Sequence, residues 1–162
     1  MTEEAFRAIY NEYRDPLLRF GYRMTGSRAT AEDLVHDCLL SLLRSNFAAR
    51  PDGLKTYLYR AVRNLACRHY RDTGREYDGP EPDIATVLDA MVAQEAADAI
   101  RCAVEALPPL QREALILFEY DDLSLEEISA VVGVELAAVK SRLHRTRAGL
   151  RRMLLPLKEV AR

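Results

Sequence analysis

The sequence predicts an all-α protein: two small helical domains joined by a flexible acidic linker, the second domain a helix-turn-helix. Three observations lead there. Apolar residues recur at spacings of three and four through most of the chain, and no alternating apolar and polar run suggests a β-hairpin. The composition breaks once, where Gly74, Gly79, Pro80 and Pro82 stand among Glu76, Asp78, Glu81 and Asp83. Beyond that break a glycine separates two amphipathic stretches, the second of them basic. The expected boundaries are 1–71 for the first domain, 72–92 for the linker and 93–162 for the second domain.

A first helix is expected from about Glu3 to Met24, carrying Phe6, Ile9, Tyr10, Tyr13, Leu17 and Phe20 on one side, with Pro16 a possible kink and Gly26-Ser27 its end. Thr30-Ala-Glu-Asp33 reads as a capping box that opens a second helix running to about Arg44. Ser45 to Gly53, with Pro51-Asp52-Gly53, reads as a loop. In the third helix Leu54, Leu58, Ala61, Val62 and Leu65 mark the buried face, and Arg60, Arg63, Asn64, Arg68 and Arg71 lie on the opposite arc. After the linker come a helix ending at Pro108-Pro109, a helix from about Leu110 to Tyr120, and two closely joined helices. Ser124 and Glu127 form a second capping-box pattern at the start of that pair, and Gly133 stops its first helix.

Composition supports a folded protein and excludes several function classes. Of the 162 residues, 49% are apolar and 30% charged, the balance of a globular chain. No stretch approaches the roughly 20 apolar residues that cross a bilayer, so no membrane insertion is expected. The start, Met1-Thr-Glu-Glu-Ala5, is acidic and lacks the basic and apolar regions of a secretory signal, so the expected compartment is the cytoplasm. Cys38, Cys67 and Cys102 are far apart and form no C-x-x-C pair, and His36, His69 and His144 show no ligand spacing. No metal and no cofactor are therefore expected, and no catalytic residues stand out: there is no nucleophile-base set, carboxylate pair or phosphate loop.

Charge becomes informative once divided along the chain. The formal net charge is -2, but residues 1–71 carry +4, residues 72–107 carry -7 and residues 108–162 carry +1. Lys140 to Lys158 contains seven basic residues and no acid, so the local field there favours a polyanion. The same segment is the second half of the helix-turn-helix. Leu125, Ile128 and Val132 pack its first helix, Gly133 makes the left-handed turn, and Val134, Val139 and Leu143 seat the second helix. Lys140, Ser141, His144 and Arg145 then fall on the outer face, with Ala137 near its N-terminal end, where side chains reach base edges or phosphates in a major groove.

This stretch resembles the promoter-reading C-terminal domain of extracytoplasmic-function (ECF) sigma factors. Ala31-Glu-Asp-Leu-Val-His-Asp37 is similar to that family's core-binding helix, Tyr57-Leu-Tyr-Arg-Ala-Val-Arg-Asn-Leu65 to its promoter-melting helix, and Leu107-Pro-Pro-Leu-Gln-Arg-Glu-Ala114 to the entry of its second domain. The resemblance implies a non-enzymatic initiation factor whose partners are core RNA polymerase, promoter DNA and an anti-sigma factor. It implies that Asp33, Leu34, Val35, His36 and Asp37 grip the coiled coil of the polymerase's largest subunit. It also implies that Asn64 and Phe47 hold a base flipped out of the minus-ten element, with Arg60, Arg63, Arg68 and Arg71 on the nearby backbone. Lys140, Ser141, His144 and Arg145 would read the minus-thirty-five element. The competing expectation is a helix-turn-helix regulator that binds duplex operators without polymerase. The arginine- and tyrosine-bearing third helix, suited to single strands, favours the initiation factor.

Overall fold

Thr2 opens the first helix: its hydroxyl accepts a hydrogen bond from the Ala5 N–H, and Glu3 and Glu4 place acid at the positive end of the dipole. The computed structural model describes residues 1–45, 53–73 and 96–160. Helix α1 runs Glu3–Thr25 through Pro16, and Gly26 closes it with φ 70°. Helix α2, Arg28–Arg44, begins earlier than the sequence suggested. Its cap is Ser27, whose hydroxyl accepts from the Thr30 N–H, so Thr30 is already inside the first turn. The two helices pack closely because Gly21 has no side chain; a Cβ there would lie 3.3 Å from the Cβ of Ala31.

Helix α3, Leu54–Asp72, buries Leu54, Leu58, Tyr59, Val62 and Ala66. Ala61 and Leu65, expected inside, are only partly buried, and Tyr59 takes a place in the core instead. The second domain begins with α4 (Ala96–Glu105) and α5 (Pro109–Leu115), the latter entered through the expected Pro108-Pro109. The expected single helix to Tyr120 changes pitch partway, with a π-helical turn over Ile116–Tyr120. Helix α6, Leu125–Val132, has its capping box in place: Ser124 and Glu127 each accept from the other's backbone N–H. Gly133 follows with φ 75°, and α7, Leu136–Val160, completes the helix-turn-helix. Among the described residues there is no strand, and the fold is all-α.

The two groups of helices are not separate bodies. A single buried cluster runs from Phe20, Leu42, Leu58 and Val62 of the first to Ile116, Leu117, Ile128 and Val131 of the second. Helix α3 lies directly against α6, and a smaller cluster of Ala99, Ala103, Leu107, Leu115 and Met153 holds α4 and α5 to α7. No helix of the described residues is long and apolar enough to cross a membrane.

Candidate polymerase and promoter interfaces

Helix α2 turns two different faces outward and inward. Asp33, His36 and Asp37 are exposed, whereas Leu34 and Val35 are buried in the core. The expected contact surface is therefore narrower than its five residues, because Leu34 and Val35 lie on the arc that packs on α1. What widens it is α1 itself. Phe6, Tyr10, Leu18, Leu39 and Leu43 line a groove between the two helices, and Arg14, Glu32, Asp33 and His36 rim it. Tyr10 and Leu43 are 40% and 47% exposed, so this groove presents apolar surface beside the acidic pair. The sequence signal for the α1 wall was present, since Phe6 and Tyr10 belong to its apolar stripe. Nothing in the spacing told which of those residues stay uncovered.

Helix α3 holds the second constellation. Arg60, Asn64, Arg68 and Arg71 are exposed along one arc, as their spacing requires. Arg63 is set apart from them. It is only partly exposed, and its Nε donates to Oε1 of Glu113 at 2.8 Å, an ion pair in which Glu113 is fully buried. The different setting of Arg63 has a simple cause. Position 63 lies at the border of the buried stripe, next to Val62 and Ala66, and the second domain covers that border. Phe47 lies outside the described residues, as does most of the linker.

Two further contacts join α3 and α1 to the π-helical turn, and neither was foreseen. The hydroxyl of Tyr59, itself 2% exposed, donates to Oδ1 of Asp121 at 2.8 Å. Burial pushes the Asp121 carboxyl above its ordinary value, against the lowering effects of the Tyr59 hydrogen bond and the cations Arg23, Arg19 and Lys55. Burial and the neighbouring Asp121 also push the Tyr59 phenol up. The guanidinium of Arg23 stacks over the Tyr120 ring at 4.2 Å.

On α7 the four expected residues, Lys140, Ser141, His144 and Arg145, are all exposed, and Ala137 is exposed one turn before them. Val139 and Leu143 on the other side are buried, which fixes the rotation of the helix about its axis. Thr146 is buried within this basic run; its hydroxyl lies 2.7 Å from the Arg142 carbonyl of its own helix and 3.2 Å from the Gln111 carbonyl of α5, so it ties the two helices together and offers nothing to a ligand. Arg151 and Arg152 are exposed two turns farther on. Among the described residues no group of His, Cys, Asp and Glu side chains could hold a metal ion.

Two known families match successive stretches of the chain. The family described as Sigma-70 region 2 matches residues 9–76, and Sigma-70, region 4, matches residues 97–150. The ECF RNA polymerase sigma factor EcfG of Rhodopseudomonas palustris is 33% identical over 144 residues, covering 86% of this chain and 80% of that protein. SigE of Mycolicibacterium smegmatis is 31% identical over 156 residues; the match covers 88% of this chain and 59% of the length of SigE. SigW of Bacillus subtilis is 27% identical over 176 residues, covering 96% and 91%. Two solved structures share the fold. RpoE from Bartonella quintana, in complex with the anti-sigma factor NepR, superposes with a TM-score of 0.69 at 23% identity, over 93% of this chain and 97% of that one. CnrH in complex with the cytosolic domain of CnrY gives 0.70 at 22% identity, over 94% and 89%.

Proposed function

The chain belongs to the ECF sigma factors of RNA polymerase, and from this we propose how its residues divide the work of starting transcription at chosen promoters. It binds core RNA polymerase and directs promoter-specific initiation. The observation that carries this is the conjunction, in one chain and in order, of a region 2 match and a region 4 match. A duplex-operator regulator would need only the second. Catalysis belongs to the polymerase, so the factor itself is not an enzyme, needs no cofactor and works in the cytoplasm.

Asp33, His36 and Asp37 meet the coiled coil of the largest polymerase subunit, with Leu34 and Val35 seating α2 in the core behind them. Asn64 holds an extruded base of the minus-ten element, while Arg60, Arg68 and Arg71 follow the backbone of the opened strand; Phe47, on sequence grounds alone, helps hold that base. Arg63 joins them when the second domain no longer covers it. Lys140, Ser141, His144 and Arg145 enter the major groove at the minus-thirty-five element, and Arg145 has the reach for a bidentate contact with guanine. An anti-sigma factor is the regulator we propose, by extension from the relative solved with NepR.

Run-off transcription with purified core polymerase on a genomic fragment library, with and without the protein, tests the reading. New, specific start sites that depend on the protein are the expected result. Their absence would reject it.

A further inference from the structure

A cavity of about 460 Å³ opens between the C-terminal end of α1 and the first helices of the second domain. Each helix turns one face toward it, at spacings of three and four. Helix α1 supplies Arg19, Tyr22 and Arg23, and α4 supplies Arg101, Val104 and Glu105. Helix α5 and the π-helical turn supply Arg112, Ile116 and Tyr120. None of these residues belongs to the polymerase or promoter surfaces assigned above. The volume lies in the range of small-molecule sites, roughly 300 to 1,000 Å³.

The lining combines two chemistries. Val104 and Ile116 are buried apolar residues, while the rings of Tyr22 and Tyr120 are 51% and 46% exposed. Around them stand four guanidiniums and one lining carboxylate, Glu105. The guanidiniums have weak partners. Arg23 lies over the Tyr120 ring at 4.2 Å. Arg112 donates from Nη1 to the Glu105 carbonyl at 3.2 Å, and its Nε is buried without an acceptor among the described residues. Arg101 meets Asp98 at 3.3 Å on an exposed rim, where such pairs are weak. Among the described residues no ion pair holds Arg19, Arg23 or Arg112. Asp121 lies near enough for Arg23 and Arg19 to act on it, but the Tyr59 hydroxyl occupies one of its oxygens and it does not line the cavity.

Like charges gathered in a partly enclosed space repel one another unless an anion joins them. A guanidinium is a planar fork of N–H donors that fits phosphate oxygens two bonds at a time. One phosphate brings roughly 1.5 to 2 negative charges near pH 7. The four lining guanidiniums outnumber the single lining carboxylate by three, so two linked phosphates are the better match. The exposed rings beside the apolar patch suit a flat aromatic group. We propose that this cavity binds a nucleotide carrying two or more linked phosphates. Arg19, Arg101 and Arg112 take the phosphates, and the base stacks on the ring of Tyr22.

Isothermal titration calorimetry of the full-length protein tests this, with ADP, pyrophosphate and adenosine as probes. Phosphate-free buffer at about 0.15 M NaCl screens diffuse surface attraction. ADP should bind one per chain with a Kd of about 1 mM or tighter. Pyrophosphate should bind about tenfold more weakly than ADP, and adenosine more weakly still. Arg19→Gln combined with Arg101→Gln changes two exposed side chains, and circular dichroism should report an unchanged fold. That double variant should lose about tenfold or more in affinity for both ADP and pyrophosphate. Tyr22→Ala should weaken ADP several-fold and leave pyrophosphate unchanged, a split that decides the matter even if the double variant loses helicity. Arg7→Gln, an exposed arginine toward the other end of α1, should change neither. No heat from ADP up to about 10 mM would overturn the site. So would equal losses in Arg7→Gln and the double variant, which mark diffuse attraction to a basic surface. Pyrophosphate binding as tightly as ADP, with no effect of Tyr22→Ala, would overturn the nucleotide as its ligand.

Discussion

Arg60 and Arg63 are one helical turn apart and chemically identical, yet one faces solvent and the other a buried carboxylate. A wheel of α3 places both near the polar side; only the arrival of Glu113 from another part of the chain distinguishes them. Cys38 makes the same point in a simpler way. It is 1% exposed, with Sγ 3.8 Å from the Leu58 carbonyl oxygen. Burial pushes that thiol up to about 11 from 9.0. At pH 8 only about a thousandth of it is thiolate, so iodoacetamide should alkylate Cys38 hundreds of times more slowly in the native protein than in guanidinium. The linkage has a defined sign. A raised thiol value contributes stability that is fully present below pH 9 and is lost as the pH rises through about 11. Denaturant midpoints measured between pH 8 and 11 should therefore fall, and Cys38→Ala should flatten that fall.

The best-specified element is the helix-turn-helix, because each local signal agrees with the others. The capping box at Ser124 and Glu127, the glycine at 133 and the apolar seats at Ile128, Val132, Val139 and Leu143 all stand where the sequence put them. Gly133 has φ 75° and nothing within 4 Å of where a Cβ would go, so conformation alone is at stake. Gly133→Ala should cost about 1 to 2 kcal/mol and lower the melting temperature by roughly 2 to 8 °C. Because the turn sets the angle of α7, the same change should weaken duplex binding even below the melting transition, which fluorescence anisotropy would report. Two other elements departed from expectation for local reasons. The cap of α2 moved to Ser27 because Ser27 and Thr30, three residues apart, can both cap and the earlier one adds nearly a turn. The π-helical turn at Ile116–Tyr120 has no periodicity of its own, and it swings Tyr120 and Asp121 toward α1 and α3.

For the molecule as a whole, charge is arranged by region. The acidic pair Asp33 and Asp37 lies exposed on α2 beside an apolar groove, while basic side chains line the outer arc of α7. Changing both Asp33 and Asp37 to lysine should abolish capture of core polymerase in a pull-down while circular dichroism stays unchanged, since neither side chain is buried. Capture equal to that of the parent would move the interface elsewhere on the first domain.

The amino-acid sequence by itself determined the helical class, the order of the helices, the helix-turn-helix and the outward residues of α7, because these depend on spacings of three and four and on caps within a few residues. It also carried the family, through motifs that are each contiguous. Only the tertiary structure decided which of Asp33 to Asp37 face out, that Tyr59 is core, and that Arg63 meets Glu113 across 50 residues of chain. Those outcomes depend on which surface of one domain rests on the other, and no local periodicity encodes a contact between residues so far apart in sequence.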